Sequence, residues 1–80
     1  MRTRITIYLS QVERVKEFVD AANKFESDVD IIMGHYVVNA KSILGVLSLD
    51  LSGAIDVEIH SENPQEVTYF NNVMLPFESV

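Results

Sequence analysis

Asn39-Ala40-Lys41-Ser42-Ile43-Leu44-Gly45-Val46-Leu47-Ser48-Leu49 is the stretch on which the reading of this chain turns. It is a short helix signal with Ser42 at its start and apolar residues on more than one face. At about 100° per residue, Ile43, Leu44 and Leu47 fall on one arc, while Val46 and Leu49 fall on another. A helix laid on a sheet needs only one apolar stripe, so the surplus calls for a second surface to cover it. One set can pack on a sheet and the other can stay available to a partner.

Outward from this helix the period changes on both sides. Before it, Asp30-Ile31-Ile32-Met33 reads as a strand, Gly34-His35 as a tight turn and Tyr36-Val37-Val38 as the returning strand of a hairpin. After it, Ser52-Gly53 marks a turn and Ile55-Asp56-Val57-Glu58-Ile59 alternates as a half-buried strand should. Further out, Arg4-Ile5-Thr6-Ile7-Tyr8-Leu9 alternates with β-branched residues and predicts the first strand. Ser10 and Glu13 then have the spacing of a capping box, so a helix is predicted from Ser10. Its apolar stripe is Val12, Val15, Phe18, Val19 and Ala22, and Asn23-Lys24 ends it. Ser61-Glu62-Asn63-Pro64 predicts a last helix with Pro64 near its first position and Glu66 in its first turn. That helix should bury Val67, Phe70, Val73 and Met74 and stop before Pro76. The predicted fold class is α+β: a four-stranded antiparallel sheet with three helices on one face, in the order βαββαβα, as a single domain over residues 1–80.

Composition narrows the function. Eighty residues allow one small core, and 48% hydrophobic against 22% charged residues argues for a folded unit. With no cysteine, disulfides, thiolate chemistry and cysteine-based zinc sites are excluded, and a reducing cytoplasm is the expected setting. The start of the chain does not read as a signal peptide, and no stretch approaches the roughly 20 apolar residues of a membrane span. A net charge of −6 disfavours nucleic acid and anionic membranes as direct partners and leaves proteins. There is no catalytic triad, metal-ligand cluster or glycine-rich phosphate loop, so an independent enzyme is not expected, nor a cofactor or metal.

The segment Asn39-Ala40-Lys41-Ser42-Ile43, followed by Gly45-Val46 and Ser48-Leu49, resembles the regulatory-serine motif of the HPr family of phosphocarriers of the bacterial sugar phosphotransferase system. Ala22-Asn23-Lys24-Phe25 and Ser27-Asp28-Val29 are similar to the end of that family's first helix and the start of its second strand. The resemblance is strongest from Ala22 to about Ile59, and the order of elements extends it over nearly the whole chain. It implies an HPr-like open-faced sandwich.

The resemblance breaks at the start of the first helix. Family phosphocarriers hold there a histidine, an arginine two residues on and then a proline, and the histidine takes a phosphoryl group from the first enzyme of the system. Ungapped alignment from Lys24 backwards puts Gln11 at the histidine position, Glu13 at the arginine and Arg14 at the proline. Matching Ile5 and Ile7 instead makes the loop shorter by a few residues. Neither alignment supplies a histidine, and Glu13 adds negative charge where a phosphoryl group needs cations and free amides. Ser10, Gln11, Glu13 and Arg14 therefore read as a degenerate active-site loop. Gln11 resembles the glutamine of Crh-like paralogues, which keep only the regulatory serine. Those paralogues retain the loop arginine and this chain does not, so it is further from the carriers than they are. The histidines that are present, His35 in the hairpin turn and His60 after the last strand, read as isolated surface residues. Ser10 reads as a helix cap without a general base.

Ser42 is the expected regulatory phosphorylation site. In the family this serine is phosphorylated from ATP by HPr kinase/phosphorylase, and the product is a corepressor of a catabolite regulator in Gram-positive bacteria. A phosphate there would meet the positive end of a helix dipole with Lys41 adjacent. Lys41, Ile43, Leu44 and Leu47 are the expected partner-binding residues. On residue physics alone, Ser42 as an ordinary helix cap is the simpler reading; the resemblance reverses that order. Three readings stay open: a carrier-dead regulatory module, a divergent active phosphocarrier, and an assembly module without phosphorylation. Its oligomeric state is expected to be monomer or weak dimer.

Overall fold

Alternation over two stretches builds the centre of the sheet. In the computed structural model, which describes residues 1–79, β1 (Arg4–Tyr8) pairs antiparallel with β4 (Ala54–Ile59), Ile5 lying opposite Val57 and Ile7 opposite Ile55. These four side chains are buried, while Arg4, Thr6 and Asp56 on the other face bind one another through the Asp56 carboxylate. On the far side of β4, β2 (Val29–Met33) pairs antiparallel with it and with β3 (Tyr36–Asn39), giving the strand order β1-β4-β2-β3. Gly34 turns the hairpin with φ +58°, a conformation that costs glycine nothing.

The helices are α1 (Val12–Ala22), α2 (Ile43–Leu47) and α3 (Pro64–Met74), followed by a 3-10 turn over Leu75–Phe77. Val15, Phe18, Val19 and Ala22 of α1, Val46 of α2 and Val67, Phe70 and Met74 of α3 are buried. All but Val67 pack in one core with Ile5, Ile7, Ile31, Val57 and Ile59, so all three helices lie on one face of the sheet. Phe18 meets Phe77 edge-on with centroids 5.8 Å apart, and Phe70 meets Phe25 at the same separation. The α+β class, the four antiparallel strands and the βαββαβα order are those expected from the sequence.

Local expectations fail at the entry to α1. Gln11, not Ser10, is the cap residue, no side chain caps the helix, and the capping box with Glu13 does not form. The reason is Leu9, which is drawn into the core at 1% exposure and delays the helix start. Val12, assigned to the apolar stripe, is 56% exposed in consequence. Val73 is only partly buried at the edge of the core, whereas α3 ends at Met74, before Pro76, as expected, and Pro76 lies in the 3-10 turn.

Candidate functional site

The segment from Asn39 to Ser48 is held by a contact at almost every residue. Asn39 Oδ1 accepts the Lys41 amide at 2.9 Å, closing an Asx turn, and the Asn39 carbonyl accepts the Ser42 amide at 3.1 Å. Between them Ala40 is fully buried, and its amide continues the ladder to the Val29 carbonyl at 2.8 Å. Asn23, at the end of α1, donates to the Lys41 carbonyl at 3.1 Å and to the Val19 carbonyl at 2.8 Å. Ser42 Oγ accepts the Gly45 amide at 3.2 Å as the side-chain cap of α2. Glycine fits position 45 without strain, because a Cβ there would stand 2.9 Å from Val38 Cγ1 and push that side chain aside. Ser48 Oγ closes the far end on the Gly45 carbonyl at 2.6 Å.

The two arcs of α2 separate as their angles demand. Val46 is fully buried and Leu49 packs partly against the core. Leu44 is 79% exposed and Leu47 46%, with Ile43 beside them and Ser42 exposed at the head of the patch. A cleft of about 410 Å³ runs between α1 and α2, lined by Lys16, Val19, Asp20, Asn23, Lys41 and Ile43. Lys41 does not turn its charge toward Ser42: its Nζ donates to the Phe25 carbonyl at 2.7 Å. At five residues α2 also carries only a fraction of a long helix's dipole, so both electrostatic supports expected for a phosphate are weaker than the sequence implied.

The start of α1 is organised differently. Leu9, Ser10 and Gln11 alone connect β1 to α1, and the side chains of Ser10, Gln11 and Glu13 stand exposed with no hydrogen bond among the described residues, while the Gln11 carbonyl accepts the Val15 amide at 3.2 Å. Arg14 faces away from that connector. Its Nη2 donates to the Pro76 carbonyl at 2.7 Å, its guanidinium lies 5.6 Å from the centroid of the Phe77 ring, and its Nε is buried without an acceptor among the described residues. Arg14 thus anchors the C-terminal turn.

Neither histidine approaches this connector along the sheet. His35 lies in the β2–β3 turn, on the far side of the sheet from β1. His60 follows the end of β4 that meets Thr3, whereas the connector leaves the other end of β1, where Tyr8 faces Ala54. His60 is not isolated, however: its Nε2 is 2.8 Å from Asp30 Oδ2, a contact between neighbouring strands that sequence spacing does not reveal. Sequence reasoning places Glu66 in the first turn of α3 but misses its contact with the loop before β2: its carboxylate accepts the Ser27 hydroxyl and, at 3.1 Å, the amides of Glu26 and Ser27. The hydroxyls of Ser27 and Ser61 and the Ser27 amide hold its pKa down to about 2. Among the described residues no cluster of His, Asp and Glu has the makings of a metal site. No described helix is long and apolar enough to cross a membrane.

Comparison with known proteins agrees with this geometry. The family described as "PTS HPr component phosphorylation site" matches residues 12–75, a span that begins just after Gln11. The phosphocarrier protein HPr of Treponema pallidum (strain Nichols) is 31% identical over 61 residues, which cover 76% of this chain and 69% of that protein. Among solved structures, HPr of Bacillus anthracis superposes with a TM-score of 0.67 at 28% identity, over 88% of this chain and 87% of the other. HPr-C-His of Thermoanaerobacter tengcongensis shares the fold, with a TM-score of 0.72 at 24% identity over 95% and 92% of the two chains. The Bacillus subtilis catabolite repression protein Crh, solved as a swapped dimer, gives 0.59 at 32% identity over 91% and 83%.

Proposed function

This chain belongs to the HPr family of the phosphoenolpyruvate-dependent sugar phosphotransferase system, and from that premise we propose that it is a regulatory protein-binding member without histidine phosphotransfer. Ser42 is its phosphorylation switch, and Lys41, Ile43, Leu44 and Leu47 form the surface that a kinase and a catabolite regulator engage. HPr kinase/phosphorylase is the partner class that this serine calls for, in a cytoplasmic protein that is a monomer or weak dimer. The observation that carries the reading is the exposed Ser42 hydroxyl, set by an intact cap beside exposed Leu44 and Leu47. Glu13 and Glu17 add like charge on α1 against the acidic faces that family carriers meet, which weakens the usual phosphotransfer contacts.

The test is the intact mass of the chain after incubation with ATP, magnesium and an HPr kinase, with Ser42→Ala alongside. One added phosphoryl group that is absent from the variant is expected. No addition, with an authentic HPr modified in the same tube, would contradict the switch and leave an assembly module. A divergent phosphocarrier is the second reading, favoured by the phosphocarrier of Treponema pallidum at 31% identity. It requires a phosphohistidine on His35 or His60 after incubation with phosphoenolpyruvate and the first enzyme.

A further inference from the structure

We propose that the β3 edge of the sheet pairs with the β3 edge of a second copy of this chain, across a two-fold axis at Val37. The inference deepens the weak-dimer reading above and is independent of Ser42 phosphorylation.

The backbone pattern comes first. β3 ends the strand order, so one side of it faces no other strand. Met33 and Tyr36 flank the two-residue turn and form its hydrogen-bonded pair, and such pairs alternate along an antiparallel ladder. The Ala40 amide bonding the Val29 carbonyl continues the same alternation, so Tyr36, Val38 and Ala40 bond inward to β2. Val37 and Asn39 therefore direct their amides and carbonyls outward. The Asn39 carbonyl takes the Ser42 amide, whereas Val37 has no outward partner among the described residues.

An antiparallel Val37–Val37 pair is self-complementary, because each copy supplies one amide and accepts one at its carbonyl. The Asn39 amide of each copy then reaches the His35 carbonyl of the other. Side chains follow from the register: Tyr36 of one copy lies across from Val38 of the other on the helix-bearing face. On that face a groove of about 440 Å³ is lined by Met33, Tyr36, Val38, Ser48, Leu49 and Asp50. The incoming Tyr36 ring closes it against Val38 and Leu49. Its hydroxyl meets the rim at Asp50, whose pKa is lowered by the Ser52 hydroxyl and amide, so that it stands as an acceptor.

Charge selects this occupant. A chain of net charge −6 repels its own copy over most of its surface, and approach costs least where neither copy is charged. Tyr36-Val37-Val38-Asn39 is neutral, and Tyr36 and Val37 are 73% and 65% exposed. Edge strands are ordinarily protected by charge, proline or a bulge, none of which this edge carries. The opposite edge, β1, carries Arg4 paired with Asp56. A four-residue edge and one groove bury far less than the ~1,600 Å² of a standard interface, so the dimer is weak and concentration-dependent.

Sedimentation velocity on the full chain, from dilute to concentrated solution, tests this with Val37→Pro and Val37→Lys. Proline removes the outward amide without touching a ladder bond, and lysine sets two ammonium groups against each other at the axis. Circular dichroism checks that both variants fold. The expected result is a reversible shift toward a dimer, weakened about tenfold or more in each variant because both bonds of the symmetric pair are affected. Concentration-dependent amide shifts at residues 35–39 and 48–50 are expected in the native chain. A monomer throughout, a dimer undiminished in both variants, or shifts that fall on β1 would overturn the proposal; the last would mark a strand swap instead.

Discussion

The segment from Asn39 to Ser48 and the entry to α1 from Leu9 to Arg14 both correspond to sites of phosphoryl chemistry in the HPr family. In the first, an Asx turn, a buried alanine, a serine cap and a glycine packed on Val38 hold one another in place. In the second, no side chain caps the helix, and the one cation serves the C-terminal turn. Asn39, Ala40, Ser42, Gly45, Val46 and Ser48 each have a packing or hydrogen-bonding reason to be what they are, whereas Leu44 and Leu47 stand exposed. In the second, the fold holds Leu9 and Arg14 but asks little of Ser10, Gln11 and Glu13, which are free to vary.

Substitutions break this comparison most strongly at its anchors. Phe77→Ala removes a buried ring that meets both Phe18 and Arg14 and should cost about 3 kcal/mol in urea unfolding. Gly45→Ala forces a methyl group against Val38 and should cost about 1–3 kcal/mol by the same measurement. Ser42→Ala loses the α2 cap at about 1 kcal/mol, while Ser42→Asp keeps an acceptor and should unfold within about 0.5 kcal/mol of the native chain. That pair separates the cap role of Ser42 from its modification. Gln11→Ala should change stability by less than about 0.5 kcal/mol, since nothing in the fold uses that side chain.

Much of this contrast was legible in the sequence. Alternation in β1 and β4, the Gly34-His35 turn and the Asn63-Pro64 start of α3 each reflect forces acting within a few residues, and these yielded the order of elements. The spacing of Ser10 and Glu13 misled because a tertiary demand, the burial of Leu9, overrode a local cap. Contacts between distant residues left no local signal. Arg14 reaches Pro76 across 62 positions, Glu66 reaches Ser27 across 39 and His60 reaches Asp30 across 30.

The Glu66 contact sharpens the comparison through pH. Its carboxyl is held down to about 2 in the fold, against about 4.5 when free, so its stabilisation is complete above pH 4.5. It is lost as pH falls from there through about 2. Thermal melts across that window should show this loss in the native chain and a smaller one in Glu66→Gln, whose stability at neutral pH should already be lower.

The most direct test of the central claim is intact mass after incubation with phosphoenolpyruvate and the first enzyme of the phosphotransferase system, with an authentic HPr in the same tube. The account predicts that HPr gains an acid-labile phosphoryl group while this chain stays unmodified. A phosphoryl group on His35 or His60 would contradict it and make the chain a phosphocarrier.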